Sequence, residues 1–210
     1  MRAAVDSSAA DIVRCIRLAR DGESNALGRL IGHYRNYVRL VAATCLDAEL
    51  RSKMDASDVA QETLLKVHQN FGQFRGATEG EFVAWIRRIL ANQLTDFRRR
   101  RVLSKGREAA RERSLDDVVD SSSMALERLV AASTSSPSER AQRREQGVIL
   151  ADALAALDDD DRDVITLRNL KELPWADVAS RMGRSSDAVR MLWTRALRRL
   201  GERMGDDAAR

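Results

Sequence analysis

The sequence is poor in the residues that break helices and in those that favour β-sheets. Only 2 of its 210 residues are proline and 11 are glycine, and aromatic residues make up 4%. Sandwiches and barrels need many turns and are built from β-branched and aromatic residues, so this composition does not fit them. Ala, Leu, Arg and Asp are abundant, and the hydrophobic fraction of 44% is ordinary for a globular protein. We therefore predict an all-α fold.

Long apolar runs are also lacking. No stretch approaches the roughly 18 apolar residues that cross a bilayer, and the first residues, MRAAVDSSAADIVRC, lack the apolar core of a signal peptide. We expect no membrane insertion and a cytoplasmic location.

The residues that bind metals are few and far apart. Cys15 and Cys45 form no CxxC pair, and His33 and His68 are widely separated. We expect two reduced thiols on helices, no metal site and no cofactor.

The net charge is only +4, but the basic residues are concentrated in two segments. The segment Arg87–Arg113 contains ten basic and three acidic residues, and Arg181–Arg203 contains seven arginines and two acidic residues. Because neutralising phosphates supplies most non-specific affinity for nucleic acids, two arginine-rich helices indicate nucleic-acid binding. The alternative for either segment alone is a solvated helix face.

Apolar periodicity divides the chain into two helical domains. In the first domain it predicts a helix around Ile12–Leu18, one long helix over Leu27–Val41, a helix capped by Asp55, and a helix over Phe82–Phe97. The buried stripe of the third helix is predicted to be Ala60, Leu64, Val67 and Phe71, and the fourth is predicted to bury Phe82, Trp85, Ile86, Ile89, Leu90, Leu94 and Phe97. For Trp85, a stacking platform is the alternative to a place in the core. Residues 114–146 are rich in serine and carry few apolar residues, so we predict a flexible linker with at most a short helix at Met124–Ala131.

The stretch LPWADVASRMGRSSDAVRMLWTRALRRL has the spacing of a helix-turn-helix. Ala179 permits close helix crossing, Gly183 suits a left-handed turn, and Ser185 is placed to cap the second helix. The exposed face of that helix is predicted to reach base edges and phosphates in a major groove. A plain three-helix fragment is the alternative.

Two segments together carry a family resemblance. DASDVAQETLLKVHQNFGQFRG, followed by FVAWIRRILANQLTDFRRRR, resembles region 2 of the sigma-70 family of bacterial transcription initiation factors, and ALAALDDDDRDVITLRNL with the helix-turn-helix resembles region 4. A chain with regions 2 and 4 but no region 3 resembles the extracytoplasmic-function (ECF) group. The resemblance implies a region 2 helical bundle at residues 9–113 and a region 4 domain at 147–205, joined by the linker.

The resemblance also implies partners and contact residues. As an ECF sigma factor, the chain would bind core RNA polymerase and promoter DNA, recognise the minus-thirty-five and minus-ten elements and promote melting. An anti-sigma factor is a further partner expected from the group. The β′ clamp helices of the polymerase would meet Asp58, Gln61, Glu62 and Leu65 of region 2, and the β flap would meet region 4. The minus-ten element would meet the loop Gln73–Gly80 and the residues Arg88, Asn92, Thr95, Arg98 and Arg99. The minus-thirty-five element would meet Arg184, Ser186, Asp187, Arg190, Met191, Thr194, Arg195 and Arg198.

Two other functions are alternatives to this one. An autonomous helix-turn-helix regulator would use its first domain to dimerise or to sense a ligand, but such a domain has no use for the four arginines at Arg98–Arg101. An enzyme is not indicated, because the sequence has no P-loop, no GxSxG, no HExxH and no paired-carboxylate metal motif. The acidic run Asp158–Asp161 is interpreted as a helix N-terminus.

Overall fold

The computed structural model describes residues 2–46, 50, 54–102, 115–130 and 137–207, with side chains over most of these ranges. The described residues form ten α-helices and no strand, which confirms the all-α prediction. Most of the chain divides into two compact units, residues 5–123 and residues 124–210. Part of the first basic segment, including Lys105, Arg107, Arg111 and Arg113, lies outside the described residues.

In the part of the chain that the structure describes, the helices with defined bounds in the first unit are five and the beginning of a sixth. They are α1 (Arg2–Arg20), α2 (Ser24–His33), α3 (Arg35–Cys45), α4 (Ala56–Asn70), α5 (Glu79–Val102) and α6 (Leu115–Val130). A 3-10 turn, Phe71–Gln73, follows α4 and leads into the loop before α5. The core lies between α3, α4 and α5, where Val38, Val67 and Phe82 are fully buried.

The prediction of one long helix over Leu27–Val41 is wrong. The chain bends at Tyr34, which ends α2 and precedes α3. Tyr34 is fully buried, its ring packs 5.5 Å from that of Phe82, and its hydroxyl donates to the buried Glu79 at 2.9 Å. Burial of this side chain therefore decides the backbone path where local helix propensity alone would continue the helix.

The predictions for α4 are confirmed, and those for α5 hold in part. Asp55 caps α4 by accepting a hydrogen bond from the Ser57 amide at 2.8 Å, and the expected stripe on that helix is buried: Ala60, Leu64, Val67 and Phe71. On α5, Phe82, Ile86, Leu90 and Leu94 are buried, whereas Trp85, Ile89 and Phe97 are half-buried. The face of α5 that carries Trp85 and Ile89 is partly open to solvent.

The segment interpreted as a linker contains more helix than expected. Instead of a short helix at Met124–Ala131, α6 covers Leu115–Val130, and a further helix begins at Pro137. Val119 and Ser123 are buried, and Ser123 accepts a hydrogen bond from the buried Tyr37 hydroxyl at 3.1 Å. The first unit thus extends beyond the predicted boundary at Arg113, because a stripe of small and apolar residues in α6 packs on it.

In the described residues, the second unit contains the end of α6 and four further helices: α7 (Pro137–Ala155), α8 (Asp159–Ile165), α9 (Trp175–Met182) and α10 (Ser186–Asp207). A π-helical turn, Thr166–Leu170, extends α8. The core is formed by apolar side chains from all four helices, including Leu154, Val164, Val178 and Val189, each with no exposed surface.

Cys15 and Cys45 are half-buried thiols on α1 and α3 and are not joined by a disulfide. Among the helices that the structure describes, none is both long and apolar enough to cross a membrane.

Candidate functional site

One face of α4 is acidic, polar and open to solvent. Asp58, Gln61, Glu62 and Leu65 are all exposed, and their spacing places them on one side of the helix. Leu65 is 55% exposed, which is rare for a large apolar side chain in the described chain. A negative surface with one apolar anchor is suited to docking a basic helical partner.

A second surface of the first unit is a depression of about 580 Å³ between α4 and α5. It brings together four of the residues predicted for the minus-ten element, Arg88, Asn92, Thr95 and Arg99. The remaining lining residues are Lys66, Asn70, Gln73, Trp85, Ile89 and Asp96. The fifth predicted residue, Arg98, is half-buried and does not line the depression.

Sequence reasoning missed the α4 side of this depression. Lys66 and Asn70 lie one helical turn apart there, and the Lys66 ammonium donates to Gln93 Oε1 at 2.7 Å. Their spacing, with Gln73 three residues further on, is the signal that would have revealed them. With Lys66, Arg88 and Arg99 against the single carboxylate of Asp96, the lining carries a net positive charge.

Trp85, predicted to lie in the core, is only half-buried. Its ring lies 5.2 Å from that of Phe74 at an interplanar angle of 32°, and 6.1 Å from that of Phe82. The same half-buried side chain lines the depression. Its indole therefore offers an aromatic surface supported from behind by the core.

The loop between the 3-10 turn and α5 ends in a capping box. Thr78 Oγ1 accepts from the Glu81 amide at 3.3 Å, and Glu81 Oε2 accepts from the amides of Ala77 and Thr78 at 2.8 and 3.0 Å. These hydrogen bonds, the one from Ala77 foremost, lower the pKa of Glu81 below its ordinary value. The stabilisation that this cap supplies is therefore fully present above the unfolded Glu pKa of about 4.3. It is lost as the pH falls through the lower pKa of Glu81 in the folded state.

The helix-turn-helix of the second unit forms as predicted. Gly183 ends α9 in the left-handed conformation, with φ at 62°. Ser185 Oγ accepts from the Ala188 amide at 3.2 Å and so caps α10. Val178 and Val189 are fully buried, and Leu192 is 8% exposed, so these side chains seal the core between the two helices.

Most residues predicted to meet the minus-thirty-five element lie exposed on α10. They are Asp187, Arg190, Met191, Thr194, Arg195 and Arg198, with Met191 63% exposed. Ser186 is half-buried at the start of the helix. The Arg190 guanidinium carbon lies 5.8 Å from the centroid of Trp175, and that of Arg168 lies 4.7 Å from it. An indole that contacts two guanidinium groups restricts where Arg190 can point.

The acidic run at the start of α8 pairs with arginines. Asp159 binds Arg162, Asp160 binds Arg184, and Asp161 binds Arg199. Asp158 occupies the position before the helix but makes no capping hydrogen bond through its side chain. The first-turn placement of the run agrees with the sequence interpretation, and the structure adds the pairing.

Two of these pairs differ in the burial of the aspartate. The Asp161 side chain is only 2% exposed, and its hydrogen bond with Arg199 raises the pKa of Arg199. This pair fastens α10 to α8. Arg184, a predicted DNA contact, pairs with Asp160, and both side chains of this pair are exposed to solvent.

Two models of known protein families match this chain, one in each of its two units. The model for Sigma-70 region 2 matches residues 30–103, and the model for Sigma-70 region 4 matches residues 147–200. Together these segments span more than half of the chain. The first contains the α4 face and the depression, and the second contains the helix-turn-helix.

The chain is also similar to individual sigma factors. It is 28% identical to the ECF RNA polymerase sigma factor BldN of Streptomyces coelicolor over 207 residues, covering 99% of this chain and 71% of that protein. It is 25% identical to the ECF RNA polymerase sigma-E factor of Haemophilus influenzae, covering 80% of this chain and 81% of that protein. A solved structure described as the RsbN-BldN complex matches with a TM-score of 0.31 and 21% identity, covering 89% of this chain and 97% of that one. This chain belongs to the ECF group of the sigma-70 family, regulatory proteins that bind core RNA polymerase and promoter DNA in transcription initiation.

Proposed function

We propose that this sigma factor places its second domain on the minus-thirty-five element and its first domain on the minus-ten element, and that it helps to open the duplex there. The observation that carries the proposal is the depression between α4 and α5. Three cations and the amides of Asn70, Gln73 and Asn92 line it. This combination suits a backbone with an unstacked base, because cations attract phosphates while amides can discriminate between bases.

Strand opening needs a site that captures a base once it leaves the stack. Asn92 is exposed in the depression, and its carboxamide can donate to and accept from a base edge. Trp85 offers an aromatic surface in the same depression for stacking. Arg88 and Arg99 are placed to hold the flanking phosphates.

The second domain supplies duplex recognition. Arg190, Met191 and Thr194 occupy the exposed face of α10, where a recognition helix meets base edges. Arg195 and Arg198, further along the same helix, are proposed phosphate contacts. Arg184 joins them if it exchanges Asp160 for a phosphate.

The exposed acidic face of α4 is the proposed docking site for the β′ clamp helices of the polymerase. Its carboxylates complement a basic partner, and Leu65 supplies the apolar anchor. We propose the β flap as the partner of the second domain, and an anti-sigma factor as an inhibitory partner on the basis of the ECF group. We expect the protein to act in the cytoplasm with the polymerase.

Reconstituted transcription with core polymerase on a promoter library tests this function and identifies the promoter motif. Asn92→Ala is expected to assemble with core polymerase but to open promoters poorly, as measured by permanganate reactivity of thymines in the minus-ten element. Gln69→Ala is the control, because Gln69 is an exposed amide on α4 outside the depression.

Two results would contradict the proposal. Normal promoter opening by Asn92→Ala would remove this residue from the melting mechanism. Tight binding of duplex DNA by the isolated chain, with no association with polymerase, would instead indicate an autonomous regulator.

A further inference from the structure

The loop before α5 packs tightly against the first turn of α5. A Cβ atom on Gly76 would lie 2.6 Å from the Phe74 ring and 2.6 Å from Glu81 Cβ, so the loop backbone passes too close to both for any other residue. Glu81 also holds the next two amides, those of Ala77 and Thr78, through hydrogen bonds. The last part of the loop is therefore fixed to the first turn of α5.

Arg20, at the end of α1, holds the other side of the loop. Its Nη2 atom donates to the carbonyl oxygen of Phe74 at 3.3 Å and to that of Gly76. Its guanidinium carbon also lies 5.4 Å from the centroid of the Phe74 ring. Arg20 lies more than fifty positions before this loop and outside residues 30–103, which match the region 2 model.

The contacts of Arg20 lead to the depression in two steps. Arg20 contacts Phe74, and the Phe74 ring packs 5.2 Å from that of Trp85. Trp85 lines the depression, as does Gln73, the residue before Phe74. The positions of Trp85 and Gln73 in the wall of the proposed minus-ten site therefore depend on the position of the Phe74 backbone and ring.

We propose that Arg20 is a positioning residue for minus-ten recognition: it holds the loop Phe74–Thr78, and through Phe74 the wall of the depression, in the conformation that receives the melted strand. This role rests on the proposed function. Arg20 does not contact the DNA. It orders the loop before binding and so removes the conformational-entropy cost that strand binding would otherwise carry. Arginine suits the role because the two hydrogens of Nη2 reach two carbonyl oxygens while the guanidinium lies over an aromatic ring, an arrangement that a lysine ammonium reproduces only in part.

The test compares Arg20→Ala, Arg20→Lys and the control Arg17→Ala in holoenzyme assembled with core polymerase. Arg17 is exposed one turn earlier on α1, so its substitution removes the same charge from the same helix. Affinity is measured for a single-stranded minus-ten oligonucleotide and, separately, for a minus-thirty-five duplex. Amide hydrogen exchange of the loop is measured in the free full-length chain.

We expect Arg20→Ala to bind the minus-ten strand roughly three- to tenfold more weakly. Without the hydrogen bonds of this solvent-exposed guanidinium, the loop has to be ordered when the strand binds. Arg20→Lys should recover part of this loss, and duplex affinity and polymerase assembly should stay unchanged. In the free chain, the amides of Ala77 and Thr78 should exchange faster in Arg20→Ala than in Arg17→Ala.

The outcomes separate the two proposals. If the wild-type holoenzyme does not bind the minus-ten strand, the proposed function fails, while hydrogen exchange still decides whether Arg20 holds the loop. If wild-type binding is normal and Arg20→Ala behaves as Arg17→Ala does in strand binding, the positioning role is overturned. Unchanged exchange of the loop in Arg20→Ala also overturns it.

Discussion

Arginine side chains in this protein have distinct roles that their contacts identify. Arg199 pairs with the buried Asp161 and fastens two helices of the second domain. Arg20 holds loop carbonyls in the first domain, and Arg190 is exposed beside Trp175. Because exposure and partner differ, replacing each of these residues is expected to affect a different property.

Replacement of Arg190 tests base recognition. If its guanidinium binds a guanine, Arg190→Ala should cost about 1 to 3 kcal/mol at a cognate minus-thirty-five element, with little change in polymerase affinity. Duplex titrations of the holoenzyme against single-base variants measure this. Arg203→Ala is the control, since Arg203 is exposed on the same helix beyond the proposed recognition face. An equal loss on every sequence would make Arg190 a phosphate contact.

Replacement of Gly76 tests the tight packing of the loop. Because an added Cβ would lie 2.6 Å from the Phe74 ring, Gly76→Ala should destabilise the first domain by about 1 to 3 kcal/mol. Gly72→Ala is the control, because nothing lies within 4 Å of a Cβ there, and it should change stability by less than about 0.5 kcal/mol. Urea unfolding measures both, and equal stabilities would contradict the packing described for Gly76.

At the scale of the element, a helix of this protein can serve the core and a partner at the same time. On α4, Val67 and Leu64 are buried while Asp58 and Glu62 are exposed. The helical period of 3.6 residues separates these faces, so the exposed face can be changed without disturbing the core.

Charge reversal on α4 tests polymerase docking. Asp58→Lys combined with Glu62→Lys should weaken core binding by at least tenfold, because like charges then face the basic partner. The fold should remain intact, since both side chains are exposed. Assembly is measured by titration with core polymerase, with Asp11→Lys and Glu23→Lys as an equally charged control. Undiminished assembly of the α4 variant would exclude this face.

A second prediction at this scale concerns the attachment of α6. The Tyr37 hydroxyl accepts from Arg87 Nε at 2.8 Å and donates to Ser123 at 3.1 Å, all within the first unit. Tyr37→Phe should therefore lower the free energy of unfolding by about 1 to 2 kcal/mol and speed amide exchange in α6. Ser121→Ala, at an exposed serine of the same helix, should have little effect. Unchanged exchange would show that other contacts hold α6.

For the whole molecule, the distribution of charge matters more than its total. A net charge of +4 is modest for a chain with 36 basic residues. Aspartates neutralise several arginines in the second domain, and those that stay exposed on α10 are available to phosphates. Salt sensitivity should therefore come from particular arginines, since most basic charge is balanced by acidic residues.

This prediction is tested by the salt dependence of promoter binding. Replacing Arg195 and Arg198 together by Ala should reduce the slope of log affinity against log salt by about 2, at roughly 0.9 per phosphate contact. Replacing Arg14 and Arg17 on α1, which are exposed, removes the same charge and should leave the slope unchanged. If both double variants lower the slope equally, overall charge governs binding.

The sequence by itself determined the features that follow local rules. The 3.6-residue period revealed the buried stripe of α4, capping chemistry placed Asp55 and Ser185, and the need for a left-handed residue placed Gly183. The motifs also sufficed to recognise the family. Each of these depends on residues within a few positions of one another, and such relations can be read directly along the chain.

Only the tertiary structure decided which distant residues meet. It ended α2 at Tyr34, placed Lys66 opposite Asn92 in the depression, and brought Arg20 to the loop before α5. It also docked part of the serine-rich segment on the first domain through Ser123. Local periodicity shows which side of a helix is buried. It does not specify the partner, because that choice depends on packing between elements far apart in the chain.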